Sequence, residues 1–235
     1  MTANQNELPP AEAITQICPV GVTDCPIAIE VIELRRNLSE LSDLIRTDTL
    51  TGIANYRYFL MALEQEIERT QRSGQPTSLI MLDIDFFKKV NDQWGHEVGN
   101  QALIHLASLL QQTVRKLDIP CRYGGEEFAV ILPDTPMAAS IPVAERIRES
   151  VEKTPLNVAG KLLKMTVSLG ITTYTEQQKI TVSELVKQAD EYLYRAKESG
   201  RNRVCHPDLP IIEIVSTEEK QALSQLFGSG MTKKD

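Results

Sequence analysis

The stretch Arg122-Tyr123-Gly124-Gly125-Glu126-Glu127-Phe128 lies between two short strand-like runs, residues 121–123 and 128–132. A glycine pair between two such runs reads as a hairpin. Glycine also lets the chain turn tightly and bring its backbone close to a ligand. Two acids, Glu126 and Glu127, follow the turn at once. Further upstream, the apolar run 78–84 ends in Leu82-Asp83-Ile84-Asp85. Side chains alternate along a strand, so Asp83 and Asp85 share one face and Ile84 points away. If this strand neighbours the hairpin, Asp83 and Glu126 converge. Gathered carboxylates need a counter-charge, and a hard divalent cation such as Mg²⁺, held by one or two carboxylates plus substrate phosphates, supplies it. Acids that are merely solvated strand ends are the plain alternative, and these residues alone leave both open.

Cations lie in the same neighbourhood of the sequence. Lys88 follows Asp83 by five residues, and Lys197 and Arg201 stand at i, i+4 near the end of a late helical pattern. That spacing places both on one helix face. They read either as a phosphate clamp or as solvated surface charge.

Outward from the hairpin, apolar spacing predicts helices ending near residue 74 and over 98–117, 138–151 and 182–199. Strands are predicted over 78–84, 162–169 and 203–205. Helices packed on a largely antiparallel central sheet fit this order, an α+β fold. Residues 1–25 are punctuated by Pro9, Pro10, Pro19 and Gly21 and read as a flexible segment. From Pro26 onward, Ile27, Val31, Leu34, Leu38, Leu41 and Ile45 form an a/d heptad seam over 26–46. This is either a parallel dimerising stem or an amphipathic helix lying on its own domain. Residues 207–235 read as a tail with one helical stretch, 217–227.

The chain has 235 residues, of which 42% are hydrophobic and 24% charged, with a net charge of −7. That charge argues against a general nucleic-acid binder, which would carry a basic stripe. No apolar run approaches the ~20 residues needed to span a bilayer, and no secretory leader pattern is present, so a cytoplasmic location is expected. Cys18, Cys25, Cys121 and Cys205 lack zinc-finger spacing and read as free thiols. Cys18 and Cys25 flank a short Pro/Gly segment where a local redox role is the alternative.

Taken together these residues resemble the GGDEF family. Residues Arg122 to Phe128 match its name-giving signature in the Glu form. Asp48-Thr49-Leu50-Thr51-Gly52-Ile53-Ala54-Asn55 matches its opening motif. Asp83-Ile84-Asp85-Phe86-Phe87-Lys88-Lys89-Val90-Asn91-Asp92, with Gly95-His96 and Gly99, matches its metal and substrate loop. Tyr194-Arg195-Ala196-Lys197-Glu198-Ser199-Gly200-Arg201-Asn202 matches its closing motif. The likeness covers residues 46–206, with a catalytic domain expected over 47–206.

The resemblance implies a palm-like fold similar to polymerase and nucleotidyl-cyclase cores. It implies a homodimeric diguanylate cyclase that condenses two GTP into cyclic di-GMP and releases pyrophosphate. Asp83, the Ile84 carbonyl and Glu126 would bind Mg²⁺, two ions per active site. Glu126 would also accept the hydroxyl proton, Glu127 would assist, and Lys88 would stabilise the phosphates in the transition state. Lys197 and Arg201 would hold the terminal phosphates, with Phe87 beside the substrate. Asn91 would bind guanine. The family usually has Asp where this chain has Asn100. An amide satisfies only part of the guanine edge that a carboxylate accepts from, a loss of ~1–3 kcal/mol in guanine preference that could admit ATP.

Arg115-Lys116-Leu117-Asp118 is an RxxD element at the family's spacing for a product-inhibition site that binds cyclic di-GMP, and Arg146 aligns with a secondary contact in some members. The bland reading is a helix-surface ion pair. The resemblance also favours the dimerising stem. Some 25 residues before it cannot build a sensor domain, so a regulatory protein gripping the stem is expected, as in the short stand-alone kind of cyclase. The competing readings are a degenerate cyclic di-GMP receptor, a cyclase of relaxed base use, and a purely structural dimerisation module.

Overall fold

The computed structural model describes residues 25–209, apart from the side chains of 37–45. Cys18, the 1–24 segment and the 217–227 helix therefore lie outside the described residues, as do the seam side chains Leu38, Leu41 and Ile45.

Strand β2 (Thr77–Ile84) is buried along its whole length, as its unbroken apolar run requires of a central strand. It pairs antiparallel with β4 (Glu127–Leu132) on one side and β7 (Val167–Tyr174) on the other. Strand β3 (Ile119–Arg122) pairs antiparallel with β4. The edges are parallel: β1 (Ala54–Asn55) on β3, and β8 (Val204–Cys205) on β7. The sheet order is β1-β3-β4-β2-β7-β8, with β5 (Leu156–Val158) and β6 (Lys161–Leu163) forming a separate hairpin. The sheet is therefore mixed, with an antiparallel centre, in line with the α+β expectation.

Alternation along β2 divides the core into two layers. Ile80, Leu82 and Ile84 face a cluster with α3 (Phe87–Trp94), α4 (His96–Thr113) and α5 (Met137–Lys153). Leu79 and Met81 face a second cluster with α2 (Tyr56–Ser73) and α6 (Val182–Glu198). Each fully buried Leu, Ile or Phe contributes ~1.5–3 kcal/mol of transfer free energy, so both layers hold β2 in register. The odd-numbered face of β2 carries Asp83 towards α6.

Local signals set the helix ends. The Asn55 carboxamide accepts from the Tyr58 N–H at 3.0 Å and starts α2. Thr181 and Glu184 form a reciprocal capping box on α6. A Cβ on Gly170 of β7 would lie 2.1 Å from Leu193 N and 2.2 Å from Ala189 O, so only glycine lets α6 lie this close to the sheet. That close approach fixes the height of Lys197 above Asp83.

Several boundaries differ from those expected. The run 162–169 is split between β6 and β7. Residues 87–94 are an additional helix, α3. Helix α4 stops at Thr113 rather than near 117, because Val114 turns to extended backbone. Helix α1 (Pro26–Arg46) covers the expected stem. On it Ala28 packs with Cys25, Ile29 and Ile32, while Ile27 is 72% exposed and Leu34 54%. No described helix is long and apolar enough to cross a membrane.

Candidate active site

Asp83 stands opposite Glu127 of β4 and Ser168 of β7 and is 5% exposed. Its carboxylate Oδ2 lies 2.9 Å from Nζ of Lys197, in the last turn of α6. Burial, opposed by the hydrogen bond and charge of Lys197 and reinforced by the charges of Glu126 and Glu127, leaves the carboxyl raised to about 6. Asp190 of α6 is likewise raised, first by burial and then by Glu127, while Lys197 lowers it. The hairpin acids and the β2 acid therefore lie within electrostatic reach of one another, and Lys197 serves as a cation among them. Among the described residues no three His, Cys, Asp or Glu side chains are placed to hold a metal by themselves. The Ile84 side chain is buried in the core, which leaves only its carbonyl for a ligand.

Asp85 has other partners. It accepts from Thr166 Oγ1 and Ser168 Oγ, both at 2.7 Å, and from the Asn202 N–H at 3.0 Å. The face it shares with Asp83 in sequence thus serves two different tasks.

The glycine turn is closed by Tyr123 and Gly124 N–H groups donating to the Glu127 carbonyl, at 2.9 and 3.1 Å. Neither glycine needs a left-handed φ. A Cβ on Gly124 would lie 2.8 Å from Glu127 Oε2 and would displace that side chain, whereas Gly125 faces open space. The turn is tight as expected, without a left-handed glycine, and the Gly124 side of it packs against the Glu127 side chain. Arg122 braces the turn from below. Its Nε donates to Gly124 O at 3.1 Å, its Nη2 to Gly125 O at 2.8 Å, and its Nη1 to Asp48 Oδ1 at 3.1 Å. Burial raises the Asp48 carboxyl, but hydrogen bonds from Thr51 and Arg122 outweigh it and hold the group below its usual range.

Helix α3 starts from Phe86, whose φ is 58°. Phe87 is buried and Lys88 exposed at its start. The first-turn N–H groups of a helix lack intrahelical partners, which suits an anion. Asn91 packs on α4 so closely that a Cβ on Gly99 would lie 1.9 Å from Asn91 Oδ1 and 3.4 Å from Phe87 Cζ. Phe87, Asn91 and Gly99 thus meet where α3 joins α4, and Asn100 is the next residue in the chain.

Arg201 lies beyond the end of α6, in a left-handed turn at φ 63°. Its expected helix face shared with Lys197 is therefore corrected: Arg201 stacks instead on the Phe86 ring, 4.5 Å from the centroid. Lys89 Nζ lies 4.3 Å from the same ring.

The Arg115–Asp118 element is a turn, since α4 ends before it; the helix-surface ion pair is overturned. Asp118 is buried, accepts the Arg115 N–H at 2.8 Å, and donates its own N–H to the Arg115 carbonyl at 3.0 Å. Burial raises its carboxyl, while the Arg115 N–H and the charges of Arg115 and Arg146 lower it. Arg146 reaches across from α5 to donate to Thr113 O at 2.9 Å. The three residues form one cluster around the buried Asp118 carboxylate. Buried Cys121, its thiol pushed up by burial, is a packing residue.

Asp48, Phe86, Gly99, Asp190 and Asn202 were not singled out individually from the sequence for their roles here. Of these, Asp48, Phe86, Gly99 and Asn202 stood inside quoted motifs, which was the available signal.

Comparison with known proteins bears on this geometry. The profile of the family described as "Diguanylate cyclase, GGDEF domain" matches residues 45–203. The response regulator PleD of Caulobacter vibrioides is 46% identical over 173 residues, 73% of this chain and 38% of PleD. Diguanylate cyclase A of Treponema denticola is 38% identical over 171 residues, 72% of this chain and 46% of that protein. The chain thus spans less than half the length of these curated relatives. Among solved structures, diguanylate cyclase SiaD of Pseudomonas aeruginosa, in complex with its activator SiaC, superposes with TM-score 0.69 at 39% identity, covering 77% of this chain and 69% of SiaD. The coiled coil and GGDEF domain of DgcB from Caulobacter crescentus, in complex with c-di-GMP, superposes with TM-score 0.71 at 31% identity, covering 76% and 94%.

Proposed function

The chain belongs to the GGDEF-domain diguanylate cyclase family, and from that premise we propose that it condenses two GTP into cyclic di-GMP with release of pyrophosphate. The observation that carries this reading is the buried Asp83 beside Glu126 and Glu127, with Lys197 2.9 Å away.

In this reading two subunits face each other, and each 3′-hydroxyl attacks the other nucleotide's α-phosphate. Lys197 and Arg201 bind the terminal phosphates, and Lys88 stabilises charge as the bond to pyrophosphate breaks. Asn91, with Asn100 and Phe87, positions the base. Glu126 takes the hydroxyl proton, and Glu127 supports the acid cluster. Hard carboxylate oxygens of Asp83 and Glu126 plus the Ile84 carbonyl suit Mg²⁺, completed by substrate phosphates; we assign two ions per active site. Bound there, Mg²⁺ supplies neutralisation of phosphate charge. The chain's own contribution is positioning and fixed charge, which carry most of the catalysis in phosphoryl-type transfer.

Residues 47–206 form the catalytic unit and 26–46 the dimerising stem. Exposed Ile27 and Leu34 on α1 support the pairing of two copies. SiaD, similar over 77% of this chain, was solved with an activator protein, which supports a regulatory protein partner; we place that partner on the stem. Arg115, Asp118 and Arg146 bind the product as an inhibitory site.

The test is to incubate the protein with Mg²⁺ and GTP, ATP or both, and to identify products by mass. Cyclic di-GMP from GTP is expected. No product, with tight cyclic di-GMP binding, would replace the cyclase by a receptor. Asn100 favours a second reading, relaxed base use, which mixed or adenine-containing products would establish.

A further inference from the structure

Arg201 and Asn202 are consecutive residues with φ of 63° and 45°. Residues with a Cβ disfavour that region, so the turn must be held by its surroundings. The Asn202 N–H donates to Asp85 Oδ2 at 3.0 Å. Asp85 is buried and fixed in turn by the Thr166 and Ser168 hydroxyls. The Asn202 side chain is held as firmly. Its Oδ1 accepts from Arg148 Nη1 at 3.1 Å, and its Nδ2 donates to Glu152 Oε1 at 2.8 Å. Arg148 and Glu152 pair at 2.9 Å along α5.

Phe86, the next residue after Asp85, holds the other end of Arg201. Its ring carries the Arg201 guanidinium at 4.5 Å. Asp85-Phe86 is thus a two-point mount: the carboxylate fixes the backbone just after Arg201, and the ring fixes its guanidinium. A long flexible side chain mounted this way loses little freedom when it meets a phosphate.

We propose that Asn202, anchored by Asp85 and by the Arg148–Glu152 pair, is a positioning residue that sets Arg201 to receive the terminal phosphates of the nucleotide. This rests on the reading of Arg201 as a phosphate contact.

The test measures binding without turnover, using 3′-deoxy-GTP, which lacks the attacking hydroxyl, and GMP, which lacks the terminal phosphates. Asn202→Ala should weaken 3′-deoxy-GTP about tenfold, the scale of one hydrogen bond to a charged group, and leave GMP within about twofold. Both variants keep the backbone N–H that donates to Asp85, but Asn202→Gly also tolerates the left-handed φ, so it should lose less; it also carries the test if Asn202→Ala does not fold. Arg148→Gln should lower triphosphate affinity in the same selective way. In an Arg201→Ala background, Asn202→Ala or Asn202→Gly should add nothing. Equal weakening of both nucleotides, or a full additional loss without Arg201, overturns the mount. If Arg201→Ala itself leaves the triphosphate preference intact, the phosphate role of Arg201 fails and the mount with it. The product assay judges the cyclase reading separately.

Discussion

Gly99→Ala separates the guanine-binding role proposed for Asn91 from the folding of the helix that supports it. The new Cβ would lie 1.9 Å from Asn91 Oδ1 and 3.1 Å from its Cγ. The amide must therefore swing away by more than 1 Å to reach ordinary van der Waals contact. Backbone is not the obstacle: the nearest atom is the far end of a side chain. Gly99 also lies inside α4, where alanine is favoured over glycine by ~0.5–1 kcal/mol. Stability should therefore hold or rise. The displaced amide loses its hydrogen bonds to the base, a loss of ~1–3 kcal/mol, which is about 5–150-fold in kcat/KM for GTP. The assay is the initial rate of pyrophosphate release against GTP concentration, with a thermal melt alongside. The control is the double-mutant cycle: in an Asn91→Ala background, Gly99→Ala should have little further effect. A full additional loss there would refute the argument, because the glycine would then serve something other than Asn91.

Three more outcomes follow from the same geometry. Arg115→Ala should relieve inhibition by added cyclic di-GMP at unchanged initial rate; unaltered inhibition would remove the product site from this turn. Asn100→Asp should raise the preference for GTP over ATP about 5–150-fold if the base sits between α3 and α4, measured as the ratio of kcat/KM values. Asp83 in the metal-free protein is raised to about 6 from an ordinary 3.8, so it favours the folded state at low pH and loses that contribution as pH rises through 6. Asp83→Asn should therefore stabilise the metal-free protein at pH 8, by an amount on the order of 3 kcal/mol, and make little difference at pH 4. Thermal melts with a chelator at both pH values check this; destabilisation at pH 8 would show that the Lys197 pair outweighs burial.

Where an element is long and regularly apolar, the sequence alone gives it away. Strand β2 was legible for this reason, as were α5 and α6, while the hairpin was legible from its glycine pair and β7 was placed several residues too early. Strands β1 and β8 are two residues each, too short to show any period, and their parallel pairing depends on partners far away in the chain. Helix α4 continues as an apolar pattern through Val114 and Leu117, which hid the turn that makes Arg115 and Asp118 a cluster rather than a helix face. The acids and cations of the site could be read because they stand inside motifs. Their supports could not. Asp48 and Arg122 are 74 residues apart, and Asp85 and Asn202 are 117 apart, and no local spacing encodes such pairs.

One of those long-range pairs bounds how strongly the stem can act on the chemistry. Helix α1 ends at Arg46, and Thr47 at once pairs with Ala54 in a β-bridge. Between them Asp48 folds back on Thr51, whose N–H and hydroxyl it accepts at 2.9 and 2.7 Å. The same carboxylate accepts Arg122, and Arg122 in turn donates to the carbonyls of Gly124 and Gly125. A displacement at the end of α1 can therefore reach the catalytic turn through this half-buried ion pair, as well as through the pairing of β1 with β3. Exposed ion pairs contribute ~0–1 kcal/mol, and hydrogen bonds to charged groups ~1.5–3. A partner on α1 that works by the ion pair alone can thus shift activity by ~1–3 kcal/mol, about 5–150-fold. Activation larger than that needs more than this ion pair, and the second thing the stem is read to do, bringing two acid clusters face to face, is one source of it.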